Sequence, residues 1–200
     1  MKKLLLTGFE PFLDNPINPT AEIAEKLHSS NIKDFQIVGE VLPVSFKNSG
    51  LKLVELLDKH KPDAVISLGL AAGRNCVTPE RIAINCNDGV PDNHGSKPED
   101  ERICPDGPDG YFSTLPIRKI VNMLEEAGLP ATISNTAGTY LCNHVMYHGL
   151  HYFNEKGKHA QAGFIHLPAS HALAVKKKMP SWSQADLQKA VEISIACLVD

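Results

Sequence analysis

Short runs of apolar and β-branched residues recur along the chain, and each run is bounded by Gly, Pro or Asn. Runs of this length and composition are typical of buried strands. They predict strands over residues 3–8, 36–44, 64–70, 77–85, 131–136 and 161–167. Amphipathic segments lie between the runs, and alternation of strands with helices indicates an α/β sandwich with a largely parallel sheet.

The clearest predicted helix covers residues 116–127, where apolar residues recur at helical spacing. Pro116 suits the first helical position because proline lacks the N–H that would be unpaired there, and Gly128 can end the helix. Ser183 followed by Asp186 forms a capping signal that predicts the start of the last helix.

One segment departs from this alternation, because residues 85–112 are dense in Asp, Gly, Pro and Asn. A long structureless loop inside a compact domain is uncommon, so the segment is expected to be functional or to contain a small hairpin. We find no repeat, low-complexity tract or linker. At 200 residues the chain is therefore predicted to form a single domain over residues 1–200.

Charge and hydropathy exclude several classes of partner. The chain has 20 basic and 23 acidic residues, and its longest basic run is Lys176–Lys178, so nucleic acid is not an expected partner. The start "MKKLLLTGFEPF" has only three leucines before Glu10, which is too short for a signal peptide. No apolar run approaches the roughly 18 residues that a membrane helix requires, so we expect no membrane association and a cytoplasmic location.

The cysteines do not form a structural pattern. They are odd in number and include no CxxC pair, which argues against a disulfide framework or a zinc ribbon. At least one thiol is therefore free. The five residues are Cys76, Cys86, Cys104, Cys142 and Cys197.

Cys142 lies where the predicted strand 131–136 gives way, through "AGTY", to residues with helical spacing. The thiol therefore belongs to the first turn of a helix, where unpaired amides and the positive end of the helix dipole favour a thiolate. The N–H of Cys142 itself can donate to an oxyanion. Cys142 is a candidate nucleophile, and the alternative is a small buried apolar residue.

A nucleophilic thiolate needs a base and a group that orients the base. His166 ends the apolar run "AGFIHLP" and should project from the carboxyl edge of the sheet, near Cys142, although a core histidine is also possible. Glu80 enters an apolar strand in "TPERIAIN" and needs a partner there. That partner is either an arginine, Arg74 or Arg81, or the imidazole of the base.

A metal site is the rival hypothesis for the same stretch. Cys142, His144, His148 and His151 offer a thiol and three imidazoles, and His144 and His148 share a helix face. The glutamate of an HExxH motif is missing, however, and Cys142 is not on that face. Histidines in helix packing or on the surface are favoured, and no metal is expected.

Two glycine-bearing turns follow predicted strands. The turn "SLGLAAGR" could present amides to a phosphate, but it matches neither GxGxxG nor a P-loop. The turn "TGFEPF" places Phe9 and Phe12 at the same sheet edge. They are either loop packing or the walls of a pocket for a flat apolar ligand.

Taken in order, "TGFEPF" with "NPT", "GLAAGRNCVTPERIAIN", "PDN", "SNTAGTYLCNHVMY" and "GFIHLP" resemble the motifs of bacterial and archaeal pyroglutamyl peptidase I, from residue 4 to about residue 168. The resemblance implies a cysteine peptidase with the triad Cys142, His166 and Glu80. It also implies a three-layer α/β/α sandwich of the phosphorylase/hydrolase-like type with a largely parallel mixed sheet, no cofactor, and commonly a homotetramer.

The activity that the resemblance implies is removal of an N-terminal pyroglutamate (5-oxoproline) from peptides. A neutral lactam suits an apolar pocket, whereas a charged amino terminus would be excluded by its desolvation cost. Where many members read "DAR" before "IPDN", this chain has the shorter "NDGVPDN" around Gly89. By similarity, the substrate pocket consists of Phe9, Phe12, Asn18, Val90, Tyr140 and Leu141.

Two alternatives from other classes stay open at this point. The glycine turn "GLAAGR" and the implied fold are compatible with a nucleoside phosphorylase-like enzyme. The histidines after Cys142 are compatible with a noncatalytic module that binds a metal or another ligand.

Overall fold

The computed structural model describes residues 1–13, 15–175 and 177–199. The strands within these ranges are β1 (Lys2–Phe9), β2 (Asn31–Ile32), β3 (Phe35–Leu42), β4 (Ala64–Leu70), β5 (Thr78–Pro79), β6 (Ile82–Ile84), β7 (Gly110–Phe112), β8 (Gln161–Leu167), β9 (Ala169–Ser170) and β10 (Ser181–Trp182). The helices are α1 (Pro19–Leu27), α2 (Ser49–His60), α3 (Ile117–Glu126), α4 (Leu141–Glu155), α5 (His171–Ala174) and α6 (Gln184–Ala196). No helix in the described ranges is long and apolar enough to cross a membrane.

The main sheet has the strand order β2-β3-β1-β4-β8-β5. Strands β3, β1, β4 and β8 run parallel, whereas β2 and β5 are antiparallel to their neighbours at the two edges. Strand β4 is buried at every position, as expected for a parallel strand covered on both faces. The predicted largely parallel mixed sheet is confirmed.

Helices cover both faces of this sheet. Successive side chains of a strand point to opposite faces. Accordingly Leu4 and Leu6 pack into the core under α1, α3 and α6, and Leu5 packs into the core under α2 and α4. The arrangement is the predicted three-layer α/β/α sandwich.

Two of the predicted strands are wrong in their extent. Residues 77–85 divide into β5, which pairs with β8, and β6, which pairs with β7. Residues 131–136 form no continuous strand and meet residues 77–81 only through isolated bridges. Pro79 explains the interruption, because it has no N–H to donate where a parallel ladder would need one. The bonds on either side are present, from Thr132 N–H to Val77 C=O and from Ser134 N–H to Pro79 C=O.

The predicted helix ends are largely correct. Helix α3 ends before Gly128, whose φ of +75° suits glycine, but Pro116 is the cap residue rather than the first helical residue. The Ser183 hydroxyl accepts a hydrogen bond from the Asp186 N–H, so Ser183 caps the start of α6 as predicted. The segment 85–112, which the structure describes in full, contains no hairpin of its own: its last strand, β7, pairs antiparallel with β6, which lies just before the segment.

Candidate active site

The three predicted triad residues meet at the carboxyl edge of the parallel strands. Cys142 is the second residue of α4, His166 is the penultimate residue of β8, and Glu80 directly follows β5. Strand β5 runs antiparallel to β8 with Thr78 opposite His166. The short edge strand β5 thereby places Glu80 beside His166.

Glu80 and His166 form a buried pair. Nδ1 of His166 lies 2.7 Å from Oε1 of Glu80, whose side chain is fully buried. The Glu80 N–H donates to the Phe164 C=O, which fixes the backbone. Burial would raise the pKa of Glu80, but the hydrogen bond and charge of His166, with smaller contributions from Ser134 and Arg74, hold it below its ordinary value. The carboxylate is therefore ionised at neutral pH.

His166 is coupled to Cys142 on its other side. Burial would lower the pKa of His166, but the charge of Cys142 and its hydrogen bond, followed by those of Glu80, raise that pKa above its ordinary value. These contacts favour the imidazolium form of His166. A Cβ at Gly69, which pairs with His166 across the sheet, would lie 2.9 Å from Cys142 Sγ. The thiol therefore occupies the space above Gly69.

The first turn of α4 can stabilise an oxyanion. The side chain of its cap residue, Tyr140, makes no capping hydrogen bond within the described part of the chain. The first amides of a helix also have no intrahelical partner, so the N–H of Cys142 is available beside the thiol.

A small apolar pocket opens beside the thiol. Phe9 is buried at the end of β1, and Leu70 is buried at the end of β4. Of the described residues that line the pocket, none is acidic or basic. The described lining residues are Phe9, Phe12, Asn18, Val44, Leu70, Tyr140, Leu141 and Cys142.

The pocket brings together five of the six residues predicted for substrate binding. The side-chain oxygen of Asn18 accepts from the N–H and the hydroxyl of Thr20, and its amide donates to the Glu10 C=O. Its remaining amide hydrogen is thus the polar group it can offer to a ligand. Val90 is not in the set: it is 50% exposed, and its role in binding stays a prediction.

The loop that carries Val90 nevertheless touches the pocket wall. The Tyr140 hydroxyl donates to the Pro91 C=O, 3.3 Å away. Gly89 faces the Tyr140 ring so closely that a Cβ would lie 3.0 Å from it. The "NDGVPDN" segment therefore packs against Tyr140 through Gly89 and Pro91.

The histidines after Cys142 have partners elsewhere. Nδ1 of His144 lies 2.9 Å from Oδ1 of Asn87, His148 packs against His144, and His151 hydrogen-bonds the Tyr111 hydroxyl. Burial lowers the pKa of His144 to about 3 and that of His148 to about 4, so both rings are neutral at neutral pH. Across the described residues, no three His, Cys, Asp or Glu side chains are grouped to hold a metal.

Two residues of the site were not predicted from the sequence. Val44 and Leu70 line the pocket, and both lie at or just after the carboxyl end of a parallel strand. The rule that placed Phe9 at this edge applies equally to them. Arg74 binds Glu80, where the sequence left the choice between an ion pair and an imidazole partner open. The structure shows both contacts on one carboxylate oxygen.

A thiol next to a buried His-Glu pair supplies the nucleophile, the base and the orienting group of a cysteine peptidase. Comparison with known proteins narrows this class. The family model described as pyroglutamyl peptidase matches residues 2–200, and the chain belongs to that family. The predicted family is therefore confirmed.

Individual relatives agree with this assignment. The pyrrolidone-carboxylate peptidase of Oceanobacillus iheyensis is 62% identical over 198 residues, which is 99% of this chain and 100% of that protein. That of Halalkalibacterium halodurans is 50% identical over 96% of both chains. The solved structure of the Thermococcus litoralis pyrrolidone carboxyl peptidase superposes with a TM-score of 0.96 at 42% identity, over 100% of this chain and 94% of that chain.

Proposed function

We propose that the protein is a cysteine peptidase that removes N-terminal pyroglutamate from peptides through a thioester intermediate. The observation that carries the proposal is the pocket beside the thiol of a Cys142-His166-Glu80 arrangement, because none of its described lining residues is acidic or basic. The names of the relatives support the same activity.

The pocket accounts for the choice of a blocked amino terminus. A pyroglutamyl group is a small neutral ring with apolar faces, which suits the aromatic walls formed by Phe9 and Phe12. An ordinary amino terminus carries a positive charge, and the described pocket residues include no acidic group to pair with it. Desolvation of that charge would oppose binding, so the pocket selects against free amino termini.

Acylation is the first half of the proposed reaction. The Cys142 thiolate attacks the carbonyl carbon that joins pyroglutamate to the next residue, and the N–H of Cys142 stabilises the oxyanion. The imidazolium of His166 gives its proton to the leaving amine as the C–N bond breaks. A thioester and a peptide with a free amino terminus result.

Deacylation returns the enzyme to its starting state. The neutral His166 takes a proton from a water molecule, which attacks the thioester carbonyl. The C–S bond breaks, and pyroglutamic acid and the thiolate are released while His166 carries the proton. Glu80 holds the ring and stabilises its charged form in both halves.

The proposal includes the wider expectations from the sequence. We infer a single catalytic domain over residues 1–200 that needs no cofactor, acts in the cytoplasm without binding nucleic acid or membranes, and assembles as a homotetramer. The near balance of 20 basic and 23 acidic residues supports the absence of a nucleic-acid surface. Light scattering of the purified protein tests the oligomeric state, and a monomer would contradict that part.

The test compares pyroglutamyl and prolyl arylamides, which share a five-membered ring but differ in charge. We expect kcat/KM to favour the pyroglutamyl substrate by at least about 100-fold. Cys142→Ser should abolish cleavage, and Cys86→Ser, at another partly buried free cysteine, should not. Equal rates on both substrates, or full activity in Cys142→Ser, would overturn the proposal.

A further inference from the structure

The Glu80 carboxylate is shared between two cations. Nδ1 of His166 and Nη1 of Arg74 both contact Oε1, at 2.7 and 2.9 Å. Arg74 follows β4 in the turn after Gly73, and its guanidinium also donates to the Thr78 hydroxyl. Thr78 is the residue opposite His166 in the β5-β8 pair. Arg74 therefore hydrogen-bonds both Glu80 and Thr78, the two residues beside the histidine.

We propose that Arg74 is a positioning residue of the triad: it anchors Glu80 and supplies a positive charge that limits how tightly His166 holds its proton. This inference rests on the proposed function, because it assigns Arg74 a task in the same reaction. Arg74 does not border the pocket and is not expected to touch substrate.

The need for a second cation follows from the reaction cycle. Glu80 is fully buried, and a buried carboxylate without a charged partner is costly. When His166 has given its proton to the leaving amine, the imidazole is neutral and no longer compensates that charge. Arg74 remains charged throughout, so Glu80 stays ionised and in place between the two half-reactions.

The same contact weakens the hold of Glu80 on the His166 proton. The groups that act on His166 are Cys142 on α4, Glu80 after β5, and Arg74 through Glu80. The first two raise the pKa of His166, whereas a neighbouring positive charge opposes protonation. Removing the charge of Arg74 should therefore raise that pKa further and shift the alkaline limb of activity to higher pH.

Three substitutions separate charge from hydrogen bonding. Arg74→Lys keeps the charge, Arg74→Gln keeps a donor for Glu80 without the charge, and Arg74→Met removes both. The matched control is Arg81→Met, because Arg81 is the next residue after Glu80 but its side chain binds Asn135 instead. If the methionine variant does not fold, the glutamine variant carries the test.

Two pH profiles are measured for each variant: kcat/KM on a pyroglutamyl arylamide, and alkylation of Cys142 by iodoacetate. Iodoacetate is an anion, so its reaction with the thiolate slows when the imidazolium loses its proton, and this profile needs no substrate. We expect the alkaline limb of both profiles to move up by about one pH unit in the glutamine and methionine variants. The lysine variant and Arg81→Met should overlay the wild type.

The outcomes distinguish the inference from the function on which it rests. Neutral variants whose alkaline limbs coincide with that of the wild type would overturn the role of Arg74 while leaving the peptidase intact. A shifted alkylation limb in a protein that does not cleave the arylamide would support the role of Arg74 and refute the substrate class. An equal shift of the alkaline limb in Arg74→Lys would also overturn the role of Arg74, because the effect would then depend on the shape of the side chain rather than on its charge.

Discussion

Nδ1 of His166 and Oε1 of Glu80 lie 2.7 Å apart, and the carboxylate is completely buried. The two residues are 86 positions apart in sequence and are brought together by the antiparallel pairing of β5 with β8. Because Nδ1 of His166 is held by Glu80, the remaining ring nitrogen is the one that can hydrogen-bond Cys142.

Replacing Glu80 by Gln should lower kcat strongly. The amide keeps the size of the side chain but cannot stabilise the imidazolium of His166, and it can favour the wrong tautomer. We expect kcat on a pyroglutamyl arylamide to fall by about 10²- to 10⁴-fold. Glu25→Gln, at an exposed position on α1, is the control. A loss below about threefold in Glu80→Gln would contradict the assigned role.

Replacing Phe12 by Ala should weaken recognition of the lactam ring. Phe12 borders the pocket from a loop, so its removal enlarges the pocket without opening a strand of the core. We expect kcat/KM to fall by about 10- to 100-fold, whereas alkylation of Cys142 should keep its rate. Leu13→Ala tests the specificity of the effect, because the neighbouring Leu13 is 60% exposed. Equal effects of the two substitutions would argue against Phe12 as a pocket wall.

Replacing Gly69 by Ala should displace the nucleophile. The added Cβ would lie 2.6 Å from the Phe164 ring and 2.9 Å from Cys142 Sγ, so one of them must move. A small displacement of reacting atoms can cost about 100-fold in rate, and we expect kcat to fall on that order. Gly149→Ala is the matched control, because its Cβ would meet Leu53 at an ordinary 3.5 Å. Circular dichroism checks that both variants fold, and wild-type kcat in Gly69→Ala would contradict the placement.

Replacing His148 by Phe should reduce the loss of stability that the folded protein suffers at acid pH. Burial, followed by the charge of His151, lowers the pKa of His148 from 6.5 to about 4. Between about pH 6.5 and about pH 4, His148 is therefore protonated in the unfolded chain but neutral in the folded chain. The free energy of unfolding consequently falls as the pH is lowered through this range.

Urea unfolding at about pH 7.5 and about pH 4.5 measures this loss of stability. Between these values the wild type should lose roughly 1–3 kcal/mol more unfolding free energy than His148→Phe. His159→Gln, at an exposed position, should behave as the wild type. An identical acid loss in His148→Phe and the wild type would show that His148 does not titrate in this way.

The sequence was most informative where one local pattern decides the structure. The apolar runs of β4 and β8 were predicted with the bounds that the structure has, because strands buried on both faces are largely apolar. Cys142 was predicted at a helix start from the spacing of apolar residues after it, and it is the second residue of α4. Cys142, His166 and Glu80, which the resemblance implied as a triad, lie together in the structure, and their catalytic roles stay predictions.

What the sequence could not resolve depends on contacts between distant segments. The interruption at Pro79 becomes visible only when residues 131–134 are known to lie alongside. The competition of Arg74 and Arg81 for Glu80 could not be decided, because both arginines are near in sequence and only Arg74 reaches the carboxylate. The position of Val90 outside the pocket wall depends on the path of the loop 85–112, which has no periodic pattern.

The most direct test of the central claim is to trap the acyl-enzyme. Wild type and His166→Ala are mixed with an activated pyroglutamyl ester, quenched in acid, and mapped by mass spectrometry of proteolytic fragments. We predict a pyroglutamyl adduct on the fragment that contains Cys142, and more of it in His166→Ala, because the thioester then lacks the base that activates water. An adduct on a different residue, or undiminished hydrolysis of a pyroglutamyl amide by Cys142→Ala, would contradict the account.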